Sequence, residues 1–129
     1  MTKQPDTKRL VLIVDDEPAI AELIVENLGA DYRTVTAANG IEGVAKFRLE
    51  QPDVVLLDIN MPRMDGLQAQ QQMHELDPTV PVVMLTSVQD LKLLATALRN
   101  GAFSYLPKPF DAIYLMHIVA AAVSQRRRR

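Results

Sequence analysis

"LVLIVDDEP", residues 10–18, runs five apolar residues directly into two aspartates and a glutamate. An unbroken apolar run of this length, without alternation, reads as a strand buried on both faces. Asp15 and Asp16 then stand side by side at its carboxyl end, where two like charges repel. Such a pair is expected at the end of a buried strand only if something positive sits there.

Working outward, further short apolar runs occur at residues 54–57 and 82–85, with a weaker one at 103–106. The more polar, alternating stretch 33–37 suits a less covered strand at an edge. Between these runs the apolar residues recur at helical spacing. Ile20, Leu23, Ile24 and Leu28 form one stripe, Ile41, Val44 and Phe47 a second, and Leu67, Met73 and Leu76 a thinner third diluted by "QAQQQ" (68–72). A fourth comprises Leu91, Leu94, Ala95 and Leu98, and a fifth Ile113, Met116, Ala120 and Val123. Pro18 suits a first helical turn, Asn39-Gly40 a helix start and Gly101 a helix end, while Pro52 and Pro81 precede strands. The pattern is (βα)₅, an α/β fold with a doubly wound, five-stranded parallel sheet and helices on both faces.

Bulk properties fit one domain. The chain has 129 residues, 48% of them hydrophobic, enough for a full core. No stretch is long and apolar enough to span a bilayer, and "MTKQPDTKR" has no signal-peptide core, so a cytoplasmic protein without membrane attachment is expected. The absence of cysteine removes disulfides, thiolate metal sites and thiol nucleophiles, and His74 and His117 are too far apart in sequence for helical metal-ligand spacing. Setting aside the arginines at 126–129 leaves ten basic side chains against sixteen acidic ones. The body is acidic, so nucleic-acid binding by this domain is not expected.

In open α/β sheets ligands bind beyond the carboxyl ends of the strands. Asp15 and Asp16 follow the first strand, Asp58 ends the third, Thr86 ends the fourth and Lys108 follows the fifth. Neighbouring strands lie about 4.8 Å apart, so these side chains can converge. Clustered carboxylates call for a hard cation, and Mg²⁺ suits a site with few protein oxygens. A carboxylate flanked by Mg²⁺, the Lys108 ammonium and the Thr86 hydroxyl is equipped to accept a phosphoryl group.

These residues resemble a known family, the receiver domains of two-component response regulators. "VLIVDDEP", "VVLLDINMPRMDG", "VVMLTS" and "GAFSYLPKPF" match its four signature segments in order and spacing. The resemblance covers about residues 9–125, leaving 1–8 as an extension and 126–129 as a basic tail or a cut linker. It implies the flavodoxin-like strand order 2-1-3-4-5. It also implies that Asp58 is the phosphoacceptor, served by Lys108 and Thr86. Mg²⁺ would be held by Asp15, Asp16, Asp58 and the backbone carbonyl of Asn60. Thr86 and Tyr105 would form a switch pair, and the Lys108–Pro109 bond would be cis. The implied partner is a histidine kinase or histidine phosphotransfer protein. A second partner, or another copy of the chain as a homodimer, is expected on the face of the fourth helix, fifth strand and fifth helix.

Plainer readings stand beside these. Asp15 or Asp16 can be a helix N-cap, Thr86 can cap the next helix, and Tyr105 can be an ordinary strand aromatic. Pro62 and Gly66 read as backbone devices shaping the loop after Asp58, Met61 and Met64 as local packing, and His74 as a surface residue. Gln70 departs from the family by standing where an apolar residue usually packs, which implies a less firmly held third helix. Val88 is apolar where many members are polar. A haloacid-dehalogenase-like phosphatase is the rival enzyme reading. It requires D-x-D at the nucleophile, whereas the motif here is "DIN" (58–60). A receiver-like scaffold that never takes phosphate would not need the complete set of Asp15, Asp16, Asp58, Thr86 and Lys108.

Overall fold

The computed structural model describes residues 8–61 and 64–127. Strands β1 (Leu10–Val14), β2 (Arg33–Ala37), β3 (Val54–Asp58), β4 (Val82–Thr86) and β5 (Ser104–Pro107) alternate with helices α1 (Pro18–Leu28), α2 (Gly40–Glu50), α3 (Gly66–Leu76), α4 (Leu91–Arg99) and α5 (Ala112–Arg127). A short 3₁₀ turn, Val88–Asp90, leads into α4. All strands are parallel, in the order β2-β1-β3-β4-β5, as the family resemblance implies.

Pleating splits the core into two layers. Leu12, Val14, Val55, Leu57, Val82 and Met84 face α2, α3 and α4, packing on Val44, Phe47, Ala69, Met73, Leu94 and Ala97. Val11, Ile13, Val54, Leu56, Val83, Leu85 and Leu106 face α1 and α5. The expected strands coincide with those observed for β1 and β2, whereas β3 and β4 each run one residue further, to Asp58 and Thr86, and β5 is shifted by one, to Ser104–Pro107. Asn39 caps α2, its side chain accepting from the Glu42 amide, and Pro18 sits in the first turn of α1.

Helix faces were less well marked. On α4 the buried residues are Leu94 and Ala97, while Leu91 and Leu98 are exposed. On α5 they are Leu115, Ile118, Val119, Ala122 and Val123, while Ile113 and Ala120 face solvent. Each expected stripe is right only in part: Leu94 of the fourth and Met116 and Val123 of the fifth pack on the core, and the others face solvent. Apolar residues nearly encircle α5, so periodicity does not select a side and contact with β3 and β5 does. Gln70 also corrects the reading made of it. It is buried and its Nε2 donates to the Ala97 carbonyl at 2.9 Å, tying α3 to α4.

Arg126 lies in the last turns of α5. Its guanidinium reaches Asp53 (3.8 Å) and Asp77 (3.6 Å) and donates to the Thr79 hydroxyl. At the sheet edge formed by β2, Lys46 Nζ donates to the Thr36 carbonyl at 2.6 Å. Asp65 caps α3 through a reciprocal capping box with Gln68. The first residue of that helix, Gly66, presses against β3: a Cβ there would stand 2.4 Å from the Asp58 carbonyl oxygen and 2.6 Å from the Ile59 Cα. Only backbone fits that gap. Gly66→Ala should therefore destabilise the protein by about 1–3 kcal/mol in urea unfolding, the usual cost of overpacking against rigid neighbours. A substitution without measurable cost would show that α3 can move off β3.

Candidate acidic site at the strand ends

The strand order reverses between β1 and β3, and the acidic residues gather there. Register sets their level. Val14 pairs with Leu57, so Asp15 and Asp58 leave adjacent strands side by side. Asp58 pairs with Leu85, which puts Thr86 one step further, and Thr86 pairs with Pro107, which puts Lys108 one step beyond that. The ladder continues through the Asp15 amide to the Ala37 carbonyl (3.1 Å) and the Lys108 amide to the Thr86 carbonyl (2.7 Å). Asp15, Asp58 and Lys108 thus follow the pleat on the α1/α5 side, and Thr86 and Tyr105 on the side that carries α4.

Lys108 occupies the centre. Its Nζ lies 3.1 Å from Asp15 Oδ2, 3.3 Å from Asp58 Oδ2 and 3.4 Å from Glu17 Oε1. The peptide bond joining it to Pro109 is cis. The Asp15 side chain is fully buried and that of Asp58 is 7% exposed. Asp15 Oδ1 accepts the Glu17 amide (2.9 Å) and Asp58 Oδ1 accepts the Asn60 amide (3.2 Å). Asp15 Oδ2, though buried, has only the shared Lys108 ammonium as a partner. One ammonium pairs with three carboxylates, and ligand oxygens of Asp15, Asp16, Glu17 and Asp58 all lie within 4.8 Å of one another.

This imbalance perturbs both partners. Burial, then the Asp15 charge, raises the Asp58 carboxyl to about 7, against the opposing pull of Lys108 and the Asn60 amide. Burial alone would lower the Lys108 ammonium, but Asp58 and Asp15 outweigh it and hold it above its ordinary value. A buried carboxylate oxygen whose one partner is a shared ammonium, an excess of negative charge and an all-oxygen donor set together fit a hard divalent cation.

The cleft above, about 230 Å³, is lined by Asp16, Glu17, Asp58, Asn60, Ser87, Asp90 and Lys108. Of the expected site residues, Asp16, Asp58, Asn60 and Lys108 line this cleft, Asp15 is buried beside Lys108, Thr86 ends β4 and Tyr105 lies within β5, level with Met84. Thr86 is buried, and its hydroxyl donates to the Ser87 carbonyl at 3.2 Å rather than capping a helix. Neither Asp15 nor Asp16 caps α1, whose N-cap position is Glu17. Tyr105 is exposed on β5. Glu17, Ser87 and Asp90 were not anticipated. Glu17 stands in the acidic run itself, but nothing in the sequence shows that it turns toward Lys108.

Comparisons with known proteins agree with this geometry. The family profile described as response regulator receiver domain matches residues 11–120. The chain is 40% identical over 116 residues to the DNA-binding transcriptional regulator NtrC of Salmonella typhimurium, covering 89% of this chain and 25% of that protein. It is 43% identical over 107 residues to the probable transcriptional regulator ycf27 of Guillardia theta, covering 82% of this chain and 42% of that one. It thus spans between a quarter and a half of the length of these relatives. Among solved structures, a CheY-like response regulator receiver domain protein from Methanospirillum hungatei superposes with a TM-score of 0.90 at 28% identity, covering 95% of this chain and 98% of that chain. The chain belongs to the response regulator receiver domain family, a signalling module of two-component systems.

Proposed function

We propose that this domain accepts a phosphoryl group on Asp58 from a phosphohistidine of a histidine kinase or histidine phosphotransfer protein. The observation that carries the reading is Lys108 Nζ set between Asp15 and Asp58 at the mouth of an acidic cleft. An Asp58 oxygen attacks phosphorus, the P–N bond to the donor imidazole breaks, and an acyl phosphate remains. Asp15, Asp16, Asp58 and the backbone oxygen of Asn60 would hold Mg²⁺, which when bound supplies positive charge for the transferring group. Asp15 and Asp58 hold Lys108 ready to neutralise phosphoryl oxygens, and Thr86 can turn its hydrogen toward a new acceptor. The phosphatase reading lacks its second nucleophile-loop carboxylate, since Asn60 stands there.

A phosphoryl group adds up to two negative charges and strong acceptor oxygens. Drawing Thr86 toward it vacates space on the α4 side of the sheet, where Tyr105 can follow. The elements on this face carry exposed apolar side chains: Val88 is 81% exposed, Leu91 62% and Ile113 71%, and Tyr105 and Tyr114 are exposed as well. That surface suits a partner or a second copy of the chain, engaged in a phosphorylation-dependent way.

Incubation with Mg²⁺ and acetyl phosphate should add one base-labile phosphoryl group, and Asp58→Asn should abolish it. Labelling of that variant at the wild-type rate would overturn the assignment, and steady turnover of unrelated phosphomonoesters would favour the phosphatase. In a Mg²⁺ titration, Asp16→Ala should weaken binding more than Asn60→Ala, which leaves a backbone ligand in place; equal losses would show the ligand set to be wrong.

The charge imbalance also predicts a pH effect without metal. A carboxyl raised in the folded state contributes most to stability below its unfolded value, and that contribution is lost as pH rises from about 4 to about 7. Asp58→Asn removes the ionisation. The metal-free variant should exceed wild type in stability at pH 8 by on the order of 1–3 kcal/mol, with the gap closing by pH 4. Parallel pH profiles for the two proteins in urea unfolding would contradict this.

A further inference from the structure

The seam between α3 and α4 contains one buried polar side chain. Gln70 is 2% exposed, its Nε2 donates to the Ala97 carbonyl at 2.9 Å, and its Oε1 is buried with no donor. The same carbonyl accepts the amides of Asn100 (3.1 Å) and Ala102 (3.0 Å) at the end of α4. A side chain that leaves half its amide unsatisfied is a poor gap filler, since an apolar residue of that size would carry no such cost. What it supplies instead is direction. A hydrogen bond fixes rotation and register where apolar contact alone permits sliding.

The two ends of α4 differ accordingly. The C-terminal half buries Leu94 and Ala97 and is tied to Gln70. The N-terminal end has no side-chain cap: Asp90 accepts the Ser87 hydroxyl instead, and Val88 and Leu91 lie in solvent. We propose that Gln70 is a hinge pin: it fixes the C-terminal turn of α4 to α3, so that α4 reorients by swinging its N-terminal end. The trigger for that swing rests on the reading of Asp58 as phosphoacceptor; the pin itself does not. The consequence for a partner is specific. The 3₁₀ turn bearing Val88 and the first turn of α4, with Leu91, would change position on activation, and the turn around Ala97 would not.

The test compares wild type with Gln70→Met, which keeps length and apolar volume and leaves the Ala97 carbonyl its two amide donors. In amide NMR with Mg²⁺ and beryllofluoride, a phosphoryl mimic, wild-type shifts should be large at residues 88–94 and small at 97–102. In Gln70→Met they should extend through 97–102. Without beryllofluoride, the Asn100 and Ala102 amides of the variant should exchange roughly threefold faster or more, the factor expected from losing one hydrogen bond of ordinary net strength. Identical shift patterns and exchange rates in both proteins would overturn the pin, as would wild-type shifts equally large at both ends of α4. Should Gln70→Met fail to fold, the wild-type gradient decides alone. Should beryllofluoride shift nothing near Asp58, the phosphoacceptor reading fails while the exchange comparison still decides the pin.

Discussion

Everything at the active end of this molecule depends on one ammonium among too many carboxylates. Lys108 sits 3.1 Å from a fully buried Asp15 oxygen and 3.3 Å from Asp58, and it cannot neutralise both. The residual charge makes the site receptive to a cation, and burial together with the Asp15 charge lifts Asp58 toward neutrality without one. The fold places these groups with little freedom. Asp15 and Asp58 leave neighbouring strands at the point where strand order reverses, and their register levels them. A slip by one residue would send a carboxylate to the other face of the sheet.

The same pleat separates two tasks. The α1/α5 side receives the charged groups, and the α4 side receives Thr86 and Tyr105. Thr86, the last residue of β4, is buried on the α4 side, where its hydroxyl donates to the Ser87 carbonyl. The close approach of Gly66 to β3 fixes the start of α3. This leaves α4, with its uncapped beginning, as the less constrained neighbour.

Much of this was legible in the sequence because buried parallel strands announce themselves. Five apolar residues ending in Asp15, or four ending in Asp58, leave little choice of secondary structure or of which end carries chemistry. The fold class, the strand order implied by the family, and the gathering of Asp15, Asp58, Thr86 and Lys108 all followed. Helix faces were harder. The leucines of α4 and the apolar run of α5 satisfy several phases, and only packing against the sheet selected Leu94 or Leu115 over Leu91 or Ile113. Gln70 misled for a related reason: composition marked it as a weakness, whereas its amide found the Ala97 carbonyl, a partner 27 residues away. Glu17 and Arg126 were missed because their contacts are tertiary and made by long, flexible side chains.

The treatment of the sheet's two margins bears on how copies of this molecule can meet. Open strand edges invite chains to add to one another indefinitely. Here β2 has a carbonyl covered by Lys46, and β5 is only four residues long and ends in Pro107, which has no amide hydrogen to give. Both margins are therefore poor templates for growth. Any contact between copies through the sheet would have to begin from one of these two blunted edges.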